Sequence, residues 1–378
     1  MDWRRISWPI LITLGVIILL GILFLRSAAY HAGTDSYRPY AEVQVTRIAF
    51  GFVCFFIAVL IPYDRIGRHA AVLYVTGLAL LLAVFVVGRE ANGSSRWIPL
   101  GFIDLQPSEV MKLALIVALA RALRFRDRIQ EWRGLLVPFA LTFIPMALIL
   151  KQPDLGTALI FLPILFVMLF AAGARIRHLA LVAGLGLAAC PLVYFFGMKD
   201  YQRARITAFI NPEDSAMGAG YQVLQSLTAV GSGGLAGKGW GQGTQTHLQF
   251  LPERHTDFIF AVIAEEWGFL GAGGLLLLFF ILFALSLSIA ARTREPTGRL
   301  MVIGAVTVLA TQVAINTAMT VGLMPITGLT LPFVSFGGSS LVVSLVTMGL
   351  ILNVGMRPIP TLASDGFARD PYLATISL

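Results

Sequence analysis

Apolar runs long enough to cross a bilayer recur from one end of this chain to the other. The first extends from Ile10 to Leu25, and others follow at 48–61, 69–87, 109–123, 134–150, 156–172, 179–196, 258–291, 300–320 and 340–356. About 20 apolar residues in helical form span a membrane's hydrocarbon. The chain therefore reads as all-α: a polytopic membrane protein of about ten transmembrane helices with re-entrant or irregular outer loops. Composition agrees, because 57% of the 378 residues are hydrophobic and only 13% charged, against about 45–50% and about 25% in soluble domains. A soluble globular enzyme, a disordered chain and a disulfide scaffold are excluded. Cys54 and Cys190 lie in separate apolar runs and predict neither a disulfide nor a metal cluster.

The formal net charge is +8. In a membrane chain this predicts orienting Lys and Arg, and no nucleic-acid partner. An even number of spans puts both termini on one side. With the N-terminus inside, a small majority of the 28 Lys and Arg fall in inner loops and tails, among them Arg124, Arg126 and Arg128. The basic N-terminus and the first run resemble a secretory signal, but that run is too long for one and is read as a retained helix. The run 258–291 exceeds one perpendicular crossing; it starts outside the hydrocarbon, tilts, or breaks near Gly271, Gly273 and Gly274. Pro145, Pro163 and Pro191 lie within spans, where neighbours can satisfy freed carbonyls. The outer segments 26–47, 89–108, 197–256 and 321–339 hold the polar motifs.

Ionisable residues inside spans cost about 2.5–3.5 kcal/mol each, and several stand at such places. Glu109 and Lys112 share one helix face by their i, i+3 spacing, either as a self-neutralising interfacial pair or as a charged wall of a polar cavity. Asp154, three residues before Thr157, suits a helix N-cap or a site carboxylate. Residues 231–239 are glycine-rich around Lys238, yet Ser232 and Gly239 break a nucleotide-binding loop twice. A tight, re-entrant backbone is the better reading. Asp257 precedes a long apolar helix, where desolvation raises a carboxylate's pKa and suits it to general-base work; an N-cap is the plain alternative. Glu265 and Glu266 follow about 12–13 Å along that helix and cannot both face lipid. Arg203 and Arg205 suit phosphate or interfacial anchoring.

Five segments carry a family resemblance, at 106–109 (Gln106, Pro107, Ser108, Glu109), 152–157, 231–240, 250–258 and 331–340. In this order and spacing the chain resembles the SEDS proteins, named for shape, elongation, division and sporulation, over about residues 8–358. Arg254 and the run Gly237, Lys238, Gly239, Trp240 favour the elongation branch over the division branch. The resemblance implies one transmembrane glycosyltransferase domain at 1–358 and a short cytoplasmic tail at 359–378. It implies a multi-pass protein of the bacterial cytoplasmic membrane, with both termini cytoplasmic and an outward-facing site. There it would polymerise lipid II into β-1,4 glycan during cell elongation. The donor is a glycan chain on undecaprenyl pyrophosphate, and inversion in one step expels the lipid pyrophosphate. By the same resemblance Asp257 is the catalytic base, Arg47, Arg96, Lys112 and Arg205 line the polar cavity, and Glu109, Asp154 and Gln202 orient those cations. A divalent cation, Mg or Mn, is a candidate for the pyrophosphate charge, with its ligands unknown.

A lipid II flippase is the rival function, and a scaffold for a transpeptidase the third. Flipping requires alternating access, often built on inverted repeats, and no base at the outer mouth. The expected partners are a class B penicillin-binding protein transpeptidase and other elongation-complex membrane proteins. No Ser-x-x-Lys acylation site with its supporting motifs stands in the outer loops, so cross-linking must come from elsewhere. Gly273, Gly274, Gly304 and Ala305 are small enough to let a partner's transmembrane helix approach closely.

Overall fold

The computed structural model describes residues 5–31, 36–37, 39–91, 94–99, 101, 104–124, 129–213, 218–248 and 250–357. Gly93, Arg126, Arg128 and the tail 359–378 lie outside the described residues. Eight helices are long and apolar enough to cross a membrane: Trp8–Ala28, Tyr40–Leu60, Ala70–Val87, Trp132–Lys151, Leu155–Ala172, Ile176–Gly197, Ile259–Arg292 and Pro296–Thr320. The shorter Pro107–Ala122 and Ser339–Gly355 bring the bundle to ten helices among the described residues, one for each apolar run. The protein is a multi-pass membrane protein. Trp8–Ala28 has 21 residues, about 31 Å at 1.5 Å per residue, which matches the hydrocarbon thickness.

Exposure separates lipid-facing from bundle-facing helices. Ile176–Gly197 is only 6% buried, whereas Pro296–Thr320 is 67% buried and forms the centre of the bundle. The second and tenth helices pack closely because glycine removes a side chain where they meet. A Cβ at Gly349 would stand 2.7 Å from the Phe55 carbonyl oxygen, and one at Gly51 2.5 Å from the Leu345 side chain. Such small-residue contacts substitute for the hydrophobic drive that lipid removes. Gly304 plays the same part, since a Cβ there would lie 2.7 Å from the Met168 sulfur and 2.8 Å from Ile116. Ala305 is wholly buried. These two residues therefore do not face lipid, contrary to the expectation that they form a partner's docking surface; Gly273 and Gly274 have open space where a side chain would stand.

The eighth helix, Ile259–Arg292, breaks at Gly268, with φ 65° and ψ −161°, three residues before the expected glycine cluster. A break strands two carbonyls and two amides in the bilayer, where unpaired backbone is costly. The glycine-rich segment supplies all four partners. Lys238 and Gly239 N–H donate to the Glu265 and Glu266 carbonyls at 3.0 and 2.9 Å, while Phe269 and Leu270 N–H donate to Gly234 and Leu235 at 2.9 and 3.1 Å. The expected tight, re-entrant backbone is thus a splice across the broken helix. Neither Glu265 nor Glu266 meets lipid, because both are fully buried. Glu265 accepts from Lys238 Nζ at 2.7 Å, from Gln245 N–H at 3.0 Å and from Thr246 Oγ1 at 3.1 Å, and Ser27 donates to Glu266.

Among its described residues the outer segment 197–256 forms helices Asp200–Ile210 and Ala219–Gly233, which its polar sequence did not predict. The loop at 89–105 forms short antiparallel strands, Arg89–Ala91 on Ser94–Pro99 on Asp104–Leu105. At the opposite end of the bundle, Arg5 and Ser7 line the same cleft as Leu352 and Gly355, so the first helix begins where the tenth ends.

Candidate active site

Asp257 sits in the turn that leads into the eighth helix. Its amide and that of Thr256 donate to the Glu253 carbonyl, each at 3.1 Å. The Asn316 side chain, wholly buried in the ninth helix, donates to the carbonyls of Asp257 at 2.8 Å and Leu329 at 2.6 Å. One amide thus pins the Asp257 turn to the 321–338 loop. The carboxylate faces Gly328, where an added Cβ would stand 3.7 Å from Oδ2. Burial first, and then the Glu253 charge, raise its pKa from 3.8 to about 6 against the opposing Arg205 charge and a hydrogen bond from Thr256. At neutral pH the group is mostly ionised, yet more basic than an ordinary aspartate.

Arg205 comes from helix Asp200–Ile210 and donates to the Ile326 carbonyl at 3.2 Å. Behind it lies a cavity of about 50 Å³ lined by Arg96, Asp154, Gln202, Arg205, Pro325 and Thr327 among others. Asp154 proves to be both cap and site residue. Its Oδ1 accepts from Thr157 N–H at 3.2 Å, as an N-cap should. Its Oδ2 accepts from Gln106 at 3.1 Å, and Arg96 Nη1 stands 4.0 Å from Oδ1. Arg96 also donates to the carbonyls of Gln152, at 3.2 Å, and Pro153. Gln202 is buried against this cavity, and its carbonyl caps its own helix by accepting from Lys199 N–H at 3.0 Å.

Arg47 stands on a neighbouring aromatic platform. Its guanidinium lies 4.4 Å from the Phe336 ring centre, a cation–π contact. Phe336 N–H donates to the His255 carbonyl at 2.8 Å, and His255 stacks on Tyr40 at 4.2 Å. The platform is continuous in sequence with Asp257. Arg47 Nε and Nη1 are buried without a hydrogen-bond partner among the described residues, so they retain donors for an anionic group.

Glu109 and Lys112 stand elsewhere. They form a 2.7 Å ion pair with both side chains nearly fully buried, enclosed by Gln312, Ser344 and Thr347. The pair is self-neutralised inside the bundle, neither at the interface nor on the wall of the Arg96–Arg205 cavity. Asn316 and Gly328 join the site without any motif that marks them. An asparagine in the last turns of an apolar span is the available signal for the first; no local signal marks the second.

A bundle of membrane helices around a polar site that gathers Arg96, Arg205, Asp154 and Asp257 defines a polytopic membrane enzyme. The chain belongs to the family of FtsW, RodA and SpoVE, described as cell cycle proteins, whose model matches residues 7–358. It is 39% identical over 340 residues to the peptidoglycan glycosyltransferase MrdB of Escherichia coli (strain K12), covering 90% of this chain and 92% of that one. It is 36% identical over 362 residues to the probable peptidoglycan glycosyltransferase FtsW of Geobacter sulfurreducens, covering 94% and 96%. Among solved structures, the rod shape determining protein RodA of Thermus thermophilus superposes with a TM-score of 0.71 at 34% identity, covering 93% and 97%. A chain from a peptidoglycan synthase complex, described as coordinating polymerization and crosslinking, superposes with a TM-score of 0.80 at 34% identity, covering 93% and 98%.

Proposed function

We propose that this protein is a peptidoglycan glycosyltransferase that polymerises lipid II at the outer face of the cytoplasmic membrane. The observation that carries the mechanism is the desolvated Asp257 carboxylate held opposite Arg205. A sugar hydroxyl is a weak nucleophile and needs a base in the transition state. The acceptor's 4-hydroxyl gives its proton to Asp257 as its oxygen bonds to the donor's anomeric carbon. The bond from that carbon to the pyrophosphate oxygen breaks, with inversion. Charge then grows on the pyrophosphate, and fixed cations at the site stabilise it; Arg47, with unmet donors, together with Arg96 and Arg205, serves this role. Asp154 and Gln202 hold the cavity in shape. Glu109 and Lys112 support the bundle from within.

Among the described residues no three His, Cys, Asp or Glu side chains converge as a metal site, and no step is routed through a metal. The charge bias of the loops supports cytoplasmic termini. A membrane-anchored transpeptidase of the class B penicillin-binding type is the fitting partner, seated along the open Gly273–Gly274 side of the eighth helix. Incubating purified protein with lipid II and resolving the products on a gel tests the activity: glycan ladders are expected, and their loss in Asp257→Asn. Lipid II translocation into protected vesicle lumen without any ladder would favour a flippase.

A further inference from the structure

A cleft of about 550 Å³ lies at the end of the bundle opposite Asp257 and takes no part in the proposed reaction. It opens where the first helix begins, the eighth ends, the ninth begins and the tenth ends. Three guanidinium side chains from two separate segments line it, Arg5, Arg292 and Arg294. Glu295 is the single carboxylate among its described lining residues, and that group is already engaged, accepting from Gly298 N–H as the cap of the ninth helix. The cleft is therefore cationic. Its inner wall is apolar, with Ile289, Leu352 and Val354. Trp8, next to Arg5 and Ser7 at the mouth, is 64% exposed, as an anchor at the headgroup level is. Cations above an apolar wall at that depth match an acidic headgroup above its glycerol and chains.

The geometry points to a binding site in this cleft for the phosphate ester of an anionic phospholipid, held by Arg292 and Arg294 with Arg5 closing from the first helix. Guanidinium forks suit phosphate oxygens, and basic pockets between membrane helices are where acidic headgroups dock. Such a lipid ties four helix ends together without touching the Asp257 site.

The test is native mass spectrometry of the full chain released from micelles containing equal phosphatidylglycerol and phosphatidylcholine. At least a tenfold preference for phosphatidylglycerol is expected. The double variant Arg292→Gln/Arg294→Gln should abolish the preference. Arg292→Lys/Arg294→Lys keeps the orienting charge and should weaken it severalfold, because the bidentate fork is lost. Ser288→Phe fills the cleft without changing charge, since Ser288 lines it, and should also abolish the preference. Thermal unfolding in detergent checks that each variant is folded. Displacement of the lipid by millimolar glycerol 3-phosphate would identify a site for a free phosphate ester; resistance would identify the lipid-held group. Equal phosphatidylglycerol preference in the wild type, the Gln variant and Ser288→Phe would overturn the proposal, whatever the Lys variant does.

Discussion

Asp257 holds its charge against its surroundings. Its pKa of about 6 in the fold lies above the ordinary 3.8, so between these values the folded chain binds the proton more tightly than the unfolded one. Stability therefore falls as pH rises through that window and does not recover above it. Asp257→Asn removes this penalty. The variant should unfold at or above the wild-type temperature while ladder formation drops about 10²–10⁴-fold, the range for a lost general base. Catalysis runs the other way with pH, since a base must be ionised. Turnover should rise from acid pH to a plateau, with its midpoint near 6 in the wild type. Arg205 lowers this pKa and Glu253 raises it. Arg205→Gln should therefore move the acid limb to higher pH, and Glu253→Gln to lower pH. Limbs that stay in place, read from initial rates across pH 5–8, would remove Asp257 from the base role. Lys112 poses a different test. Lys112→Met strands a buried Glu109 charge and should cost about 3–5 kcal/mol, while adding Glu109→Gln should restore much of it. Detergent unfolding of the single and double variants measures that coupling.

At the scale of the element, the broken eighth helix and the glycine-rich splice stand or fall together. Gly237 has φ +81°, and a Cβ there would stand 2.1 Å from the Glu266 carbonyl oxygen. Gly237→Ala must push the splice away from the break and should cost about 2–4 kcal/mol from strain and lost backbone pairing. Gly273, on the eighth helix with open space around it, should accept alanine with no loss of stability, because alanine is the better helix former. Thermal unfolding of the two variants side by side checks the contrast. The splice also shows where sequence reading ends. Apolar run length located every one of the ten helices, because lipid imposes that length directly. The position of the break followed a different rule: it lies where residues 234–239 can reach both strands of a cut helix, which is a tertiary matter. Gly271, Gly273 and Gly274 look like the weak point and stay helical. Helices Asp200–Ile210 and Ala219–Gly233 were missed for a related reason, since they are too short and polar to register as spans. Within the site, the motif around Asp257 was legible as a carboxylate before an apolar helix. The i, i+3 spacing of Glu109 and Lys112 established a pair, but it carries no information on which neighbours enclose it.

At the scale of the whole molecule, the lipid-facing surface decides where a partner helix can lie. Gly304 is excluded by Met168 and Ile116, and the exposed seventh helix, Ile176–Gly197, offers bulky side chains such as Leu185 and Leu187. The eighth helix differs. Just past its break, an open groove of about 410 Å³ runs beside Leu20, Trp267, Leu270, Gly271 and Gly274. Small residues at a groove floor let a second backbone approach, and packing in lipid depends on that approach. The groove is lined by Ala236 of the splice and by Trp267, two residues from Glu265, so a helix seated there would press on the segment that carries Lys238 and leads toward Asp257. Docking and turnover should consequently be coupled. Gly274→Leu fills the groove and should reduce both co-purification with a membrane-anchored transpeptidase and the stimulation of ladder formation by it. Basal ladders from the isolated protein should be unchanged, because Gly274 touches none of the residues around Asp257. Gly304→Leu should instead unfold the bundle, by overpacking its core, and so lower every activity together. Co-purification and ladder assays on the two variants, with and without partner, distinguish a surface contact from a packing defect. An intact complex with Gly274→Leu would place the partner on another face.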